Sequence, residues 1–341
     1  MNSAKHIQIG ILTHLSRSGS TLLSRILDEY AEICVTTESE LPLELFGVKS
    51  YTPIVFNTIQ DIEKYLDHTL QSTRIASWKL STSSILDHCQ QVPMPISGPQ
   101  LVEILLTAYR DTYKPDASLV IYKACPFMPW HIPESLEHFP GVKFLHLLRD
   151  PRAVFHSQRQ SIDPFTRKPY SKSVIKTGLD WQKAAALEEI DSTIMELRYE
   201  DLVSSPNEVI NATLNFLEIA QARKVENNDS FIRRMDNRDQ ELHKEIVEAP
   251  DPNKNTVWQT NLTSQEISLM DAFLMPTLVS KGYDPISPES DNSLRLKLMI
   301  QGGLVHQNLV KILKRTSRVL QHLVKNPQHL FRKARLKVLH G

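Results

Sequence analysis

Short apolar runs alternate with longer segments of mixed polarity along most of this chain of 341 residues. Four of the apolar runs have the length and composition of buried strands, namely 6–12, 117–123, 142–148 and 193–198. Apolar residues recur at helical spacing elsewhere, which predicts helices at 20–30, 58–71, 99–113, 174–190, 206–218, 264–280 and 296–324. Strands separated by helices favour an α/β fold in which helices flank a parallel sheet on both faces.

A loop of small residues follows the first predicted strand and opens the first predicted helix. It reads Ser16-Arg17-Ser18-Gly19-Ser20-Thr21. Such a turn gathers backbone N–H groups and the positive end of a helix dipole, and both favour an anion. The phosphate-binding loop of nucleotide hydrolases reads G-x-x-x-x-G-K-S/T, and this loop lacks its lysine and its first glycine. The pattern therefore predicts a P-loop-like anion site that is not built for the triphosphate of ATP.

A second anion site is predicted where the strand at 142–148 ends. Arg149 follows this strand, Pro151 favours a helix start, and Ser157 lies eight residues after the arginine. Arginine binds a phosphate through two parallel N–H donors, and a serine about two helical turns onward lies on the same side. Because parallel strands end at the same edge of a sheet, both anion sites are expected at that edge.

These motifs resemble those of the sulfotransferases that use 3′-phosphoadenosine-5′-phosphosulfate (PAPS). A third segment, Leu197-Arg198-Tyr199-Glu200-Asp201-Leu202, is similar to the family's R-Y-E-D-L segment, and it comes in the family's order. The resemblance implies that the loop Arg17-Ser18-Gly19-Ser20-Thr21 holds the 5′-phosphosulfate of PAPS. It also implies that Arg149 and Ser157 hold the 3′-phosphate and that Tyr199 lies near the donor.

The resemblance is greater to the protein-tyrosine and Golgi-type branch and its bacterial relatives than to the cytosolic steroid and phenol branch. The glycine-rich R-K-G-x-x-G-D-W segment of the cytosolic branch is absent, and Glu38 lies 21 residues after Arg17. The resemblance implies that Glu38 is the catalytic base, with His14 as the alternative. Lys123, in a context similar to K-x-P-F, and Arg17 are expected to stabilise charge on the leaving group.

The predicted reaction moves a sulfuryl group from PAPS to a hydroxyl or amine of a small molecule or carbohydrate. It needs no metal, and no cluster of Cys and His has the spacing of metal ligands. Two other classes stay open, a P-loop kinase or NTPase-like phosphotransferase and a non-catalytic binding protein. Nucleic acid is not an expected partner, and the polar segment 221–262 is expected to form a partly helical, mobile cover over the acceptor site.

The neutral total charge conceals two parts of opposite sign. Residues 292–341 contain eleven Lys and Arg and no Asp or Glu, which leaves a net charge of −11 on residues 1–291. We therefore expect a sulfotransferase domain over 1–291 and a basic amphipathic helical tail over 292–341. Three roles fit the tail: packing on the acidic body, binding an acidic partner, and weak attachment to an anionic membrane surface. Without a long apolar run or an N-terminal secretory segment, a cytoplasmic location is expected.

Overall fold

Five parallel strands form the central sheet of the computed structural model. The structure describes residues 7–47, 54–71, 75–124, 126, 128–163, 166–187, 192–219, 221–225, 230–243, 250–286, 298–305 and 307. The sheet strands are β1 (Gln8–His14), β2 (Ile33–Val35), β5 (Leu119–Lys123), β6 (Lys143–Leu148) and β7 (Ile194–Arg198), in the order β2-β5-β1-β6-β7. A separate antiparallel pair consists of β3 (Val55–Phe56) and β4 (Ile96–Ser97).

The order of the strands explains where a ligand site forms. The chain leaves β1 through helix α1 (Ser20–Asp28) towards β2 on one side, and it leaves β6 towards β7 on the other side. The connections therefore diverge between the adjacent strands β1 and β6, and open α/β sheets bind ligands at such a point. Leu12 pairs with Leu145 and His14 with Leu147, so the two strands end side by side.

Helices cover both faces of the sheet because successive residues of each buried strand point to opposite faces. In β5, Val120 and Tyr122 belong to one apolar cluster, whereas Leu119 and Ile121 belong to the other. The predicted α/β fold, a parallel sheet flanked by helices, is confirmed.

The remaining helices follow the sequence pattern closely where that pattern is long. They are α2 (Ile59–Thr69), α3 (Thr82–Cys89), α4 (Gly98–Tyr113), α5 (Ile132–Leu136), α6 (Pro151–Gln160), α7 (Val174–Ala185), α8 (Tyr199–Ser204), α9 (Pro206–Phe216), α10 (Ser230–Arg234), α11 (Asn237–Leu242), α12 (Val257–Asn261) and α13 (Ser264–Ser280). Short 3-10 turns occupy Leu43–Phe46, Ile75–Trp78, Met128–His131 and Pro252–Asn255. Capping boxes fix the starts of α2, α4 and α13, where Thr58, Ser97 and Thr263 cap the first turn.

The chain divides into two compact units, one made of Met1–Lys172 with Leu179–Leu262 and the other of Ser173–Gly178 with Thr263–Gly341. The first unit contains the central sheet. In the second unit, the Asp271 carboxylate accepts a hydrogen bond from the backbone N–H of Ile286, at 2.9 Å. Of the predicted tail helix, 298–305 is helical, whereas 308–341 lies outside the described residues, and the proposed boundary at residue 291 stays a prediction. In the part of the chain that the structure describes, no helix combines the length and apolarity that a membrane span requires.

Candidate active site

The loop between β1 and α1 is a tight turn with two residues in the left-handed region. Arg17 has φ +73° and Gly19 has φ +92°. Only glycine adopts this conformation without strain, so the arginine is held there by the surrounding structure. The first N–H groups of α1, at Ser20 and Thr21, follow directly, and a helix start leaves such groups without intrahelical acceptors. The loop therefore presents backbone donors and a partial positive charge to the cavity above it.

The loop after β6 lies against this turn. The Arg17 guanidinium donates from Nε to Ser157 Oγ at 3.1 Å, and Arg149 donates from Nη1 to the Arg17 carbonyl at 3.2 Å. Asp150 caps α6 by accepting from the backbone N–H of Arg152 at 2.8 Å, which fixes the helix that carries Ser157. The two predicted anion motifs are thus in direct contact.

Aromatic residues hold Arg149 in place. Its guanidinium lies over the Tyr199 ring at 4.2 Å from the centroid, and Trp181 donates to its carbonyl oxygen at 2.9 Å. A second donor, Nη2, reaches the Lys254 carbonyl at 3.2 Å. The remaining donor, Nε, is buried and has no hydrogen-bond partner among the described residues. A buried donor of this kind is costly unless a ligand accepts from it.

One cavity of about 430 Å³ joins the two loops. Its wall along α6 follows helical spacing from Arg149 through Ala153, His156 and Ser157 to Gln160. His156 is mostly buried, and its Nε2 atom has no partner in the described residues. Burial and the neighbouring Arg159 and Arg149 lower the pKa of His156, so its ring is neutral at pH 7.

Lys123 and Glu38 lie next to the N-terminus of α1. Lys123 is the last residue of β5, and its ammonium donates to Thr21 Oγ1 at 2.9 Å. The same nitrogen lies 3.5 Å from Glu38 Oε2. Glu38 lines the cavity, whereas Lys123 lies behind Thr21 and is only 3% exposed. A buried ammonium between a hydroxyl and a carboxylate is a charge held in a fixed position.

The backbone on both sides of Glu38 is held by three buried aromatic side chains. Trp78 donates from Nε1 to the Thr37 carbonyl at 3.1 Å, and the Thr37 N–H donates to the Tyr109 hydroxyl at 3.2 Å. Tyr122 donates to the Ser39 carbonyl at 3.0 Å. These bonds run from the sheet, from α4 and from the 3-10 turn Ile75–Trp78 to a segment without regular structure, so the Glu38 side chain is positioned by a rigid support.

His14, at the end of β1, faces the same carboxylate. Its Nε2 atom lies 3.6 Å from Glu38 Oε2, and its Nδ1 atom lies 3.0 Å from the Leu15 carbonyl oxygen. Burial lowers the pKa of His14 to about 4; the Glu38 charge opposes this shift and the Lys123 charge adds to it. The ring is therefore neutral at pH 7.

Sequence reasoning missed a second histidine in this cluster. His243 follows α11 and lies with its Nε2 atom 3.4 Å from Thr21 Oγ1. Burial lowers the pKa of His243 well below its ordinary value, and the charges of Lys123 and Arg17 lower it further. No motif in the sequence marks this residue, because 222 positions separate it from Thr21.

The segment 250–258, part of the stretch expected to cover the acceptor site, forms another wall of the cavity. Asp251, Lys254 and Trp258 line the cavity, and the Arg152 guanidinium lies over the Trp258 ring at 4.3 Å. The sequence predicted only that part of 221–262 covers the acceptor site, without naming the residues that line it.

His156 could have been found from the sequence, because on a helical plot of 149–161 it shares a face with Arg149 and Ser157.

Most of the residues predicted from sequence line the cavity. They are Arg17, Gly19, Ser20, Thr21, Glu38, Arg149, Ser157 and Tyr199. Two do not line it: Ser18 is buried in the turn and donates its N–H to the Leu15 carbonyl, and Lys123 is buried behind Thr21. Within the described residues, no group of three or more His, Cys, Asp or Glu has the arrangement of a metal site.

Three solved structures illustrate the similarity to known folds. The sulfotransferase domain from the curacin biosynthetic pathway is 18% identical, with a TM-score of 0.48 over 82% of this chain and 99% of that chain. The corresponding domain of the Synechococcus PCC 7002 olefin synthase is also 18% identical, with a TM-score of 0.48 over 83% and 97%. Mouse sulfotransferase SULT7A1 complexed with PAP is 12% identical, with a TM-score of 0.40 over 86% and 89%.

The sequence comparison assigns the family. No curated protein matches the sequence significantly. The family model described as the sulfotransferase family matches residues 11–223, which is more than half of the chain and includes both anion loops, Glu38, Lys123 and Tyr199. The chain belongs to the sulfotransferase family.

Proposed function

We propose that this sulfotransferase uses PAPS as its donor and sulfates a hydroxyl or amine of a small molecule or carbohydrate. The observation that carries the proposal is the joined pair of anion sites, in which Arg17 donates to Ser157 and Arg149 donates to the Arg17 carbonyl. A donor with phosphate groups at the 3′ and 5′ positions of one ribose needs two such sites in one cavity.

The residues present fit such a donor. Arg149 Nε and His156 Nε2 are buried atoms that have no partner in the described residues, and both residues line the cavity. Arg149 and Ser157 would hold the 3′-phosphate, whereas the loop from Arg17 to Thr21 would hold the 5′-phosphosulfate. Bound PAPS supplies the sulfuryl group, and the leaving group is 3′,5′-bisphosphoadenosine (PAP).

The chain's own contribution to the reaction is a base and a set of fixed positive charges. Glu38 accepts the proton of the acceptor group, since it lines the cavity and its backbone is held rigidly. Lys123 and Arg17, together with the start of α1, stabilise the negative charge that grows on the leaving phosphate. In the resting site, Glu38 partly balances the Lys123 ammonium at 3.5 Å.

A thermal-shift comparison of two nucleotides tests the donor. PAP and AMP differ only in the 3′-phosphate, so their difference reports on the Arg149 and Ser157 site. We expect PAP without Mg²⁺ to stabilise the protein by about 2.7 kcal/mol at one hundred times its Kd, with a much smaller effect of AMP. Stabilisation by ATP with Mg²⁺ and none by PAP would favour the phosphotransferase alternative.

Incubation with radiolabelled PAPS and a panel of acceptors tests the transfer. The panel contains phenols, alkyl alcohols, carbohydrates and amines, and the readout is labelled product with stoichiometric PAP. Labelled product from an alcohol, phenol, sugar or amine supports the proposal. PAP binding without labelled product from any member would favour a non-catalytic binding protein.

A further inference from the structure

The hydrogen-bond geometry of His14 indicates where its ring hydrogen lies. The Leu15 carbonyl oxygen, 3.0 Å from Nδ1, can only accept, so Nδ1 carries the hydrogen of the neutral ring. Nε2 then presents a lone pair. This atom is buried and has no hydrogen-bond partner in the described part of the chain, and it lies 3.6 Å from Glu38 Oε2.

Two proton acceptors therefore face each other at the base. A carboxylate oxygen and an imine nitrogen repel one another until a proton lies between them, when one becomes the donor. Because His14 lines the cavity and the Thr37 and Ser39 carbonyls fix the Glu38 segment, this pair is aligned before any acceptor arrives.

We propose that His14 is a positioning residue that takes up, through Glu38, the proton that the acceptor loses. The inference rests on the proposed role of Glu38 as base. As the acceptor oxygen or nitrogen forms its bond to sulfur, the bond from sulfur to the bridging phosphate oxygen breaks and PAP leaves with that electron pair. The acceptor's bond to hydrogen also breaks, and the proton moves to Glu38 Oε2. The proton then passes to His14 Nε2, and the electron pair stays on the carboxylate. After product release, the proton returns through Glu38 to the water of the cavity.

The surroundings of the His14 ring do not favour lasting protonation. Glu38 and the carbonyl groups of Leu15 and Ala124 favour the imidazolium, whereas burial, Lys123 of β5 and the neighbouring His243 oppose it. The ring is therefore neutral and ready to accept at the start of each cycle. Moving the proton to His14 also keeps Glu38 anionic, so that its ion pair with Lys123 survives the transfer.

A pH titration of the full chain by NMR, with ¹⁵N-labelled histidine, tests the coupling without an acceptor or a donor. We expect His14 to carry hydrogen on Nδ1 and to protonate with a midpoint well below pH 6. Since an opposite charge within about 4–6 Å shifts a pKa by about 1–3 units, Glu38→Gln is expected to lower that midpoint by about one unit or more. A midpoint that does not move, or hydrogen on Nε2 in the wild type, would overturn the proposal.

Asp111→Asn is the matched control. Asp111 Oδ2 lies 3.4 Å from His88 Nε2, so the chain has a second histidine–carboxylate pair remote from the cavity. This variant removes the carboxylate of that remote pair and is expected to leave the titration of His14 unchanged. A shift of the His14 titration midpoint in both variants would indicate a general charge effect and would contradict the coupling between His14 and Glu38.

Kinetics with any acceptor found in the radiolabel screen give a second readout. His14→Ala is expected to lower kcat by about 10- to 100-fold with unchanged PAP affinity, and added imidazole is expected to restore part of the rate. Unchanged kcat would overturn the proposal. If the wild type does not bind PAP, the proposed function fails. If PAP binds and the NMR coupling is absent, the proton relay alone fails.

Discussion

Arg17 Nε donates a hydrogen bond to Ser157 Oγ at 3.1 Å, across 140 positions of the sequence. This bond joins the turn after β1 to the helix after β6 at the point where the sheet connections diverge. Since Arg149 also donates to the Arg17 carbonyl, each anion loop is held by the other. Changes at one loop should therefore affect how the whole donor binds.

Arg149→Ala should weaken PAP binding by about 10- to 100-fold, because hydrogen bonds to charged groups contribute about 1.5–3 kcal/mol. Ser157→Ala, which removes a neutral hydroxyl, should have a smaller effect in the same direction. Isothermal titration calorimetry with PAP and AMP measures both. Arg159→Ala is the control, since Arg159 lies on the same helix but does not line the cavity. Equal losses in PAP and AMP affinity would contradict the assignment of Arg149 to the 3′-phosphate.

Glu38→Gln should abolish most turnover while PAP binding stays near the wild-type value. A positioned base contributes about 100- to 10,000-fold to the rate, and the amide keeps the shape of the side chain without accepting the proton. Initial rates with radiolabelled PAPS, together with calorimetry, separate the two effects. Glu40→Gln, an exposed position two residues onward, is the matched control. Wild-type turnover in Glu38→Gln would show that another residue is the base.

Buried Lys123 and half-buried Lys114 allow a direct comparison of a functional and a structural ammonium. Lys123 donates to Thr21 beside the cavity, whereas Lys114 donates to the carbonyls of Asp28, Tyr30 and Ile33. Lys123→Met should lower kcat by about 100-fold, because it removes a fixed positive charge beside the start of α1, where charge grows on the leaving phosphate. Lys114→Met should lower the free energy of unfolding while kcat per folded molecule is retained. A loss confined to PAP affinity in Lys123→Met would contradict its role in the chemical step.

Gly19→Ala tests the close approach of Tyr199 to the loop. A Cβ at Gly19 would overlap the Tyr199 ring, and the residue has φ +92°. Gly141 offers a matched control, because it has φ +80° but nothing within 4 Å of its added Cβ. Gly141→Ala should lower the free energy of unfolding by about 1 kcal/mol, and Gly19→Ala should exceed it by about 1–3 kcal/mol. Urea unfolding measures both, and equal losses would show that the Tyr199 ring adjusts without cost.

Much of the fold was predictable from the sequence because its long elements have clear periodicity. The strand predicted at 142–148 is β6, and the helix predicted at 99–113 is α4. The edge strand β2 was not predicted, since the three residues from Ile33 to Val35 are too few to give a pattern. Helix α3 was also not predicted, because Thr82, Ser83 and Ser84 at its start have a polar pattern that is typical of a loop.

The site was predictable where chemistry depends on local spacing and not where it depends on distant contacts. Arg149 and Ser157 lie eight residues apart on one strand–helix unit, so spacing alone places them together. His243 reaches Thr21 because α10 packs against the C-terminal end of α1 and α11 then returns the chain to the N-terminal end of α1. At the C-terminal end, the Arg234 guanidinium pairs with the Asp28 carboxylate at 2.5 Å. No local rule in a single sequence encodes that contact.

Acid should destabilise the protein partly through His14. Its pKa falls from 6.5 in the unfolded chain to about 4 in the folded chain, so between these values the unfolded state binds more protons. Stability therefore falls as the pH falls from 6.5 to 4, by about 3 kcal/mol at most from this residue. His14→Asn, which cannot titrate, removes that contribution. Urea unfolding at several pH values measures the effect. Below pH 6.5, the free energy of unfolding of the wild type should fall relative to that of His14→Asn. Parallel stability curves would show that His14 is not buried neutral.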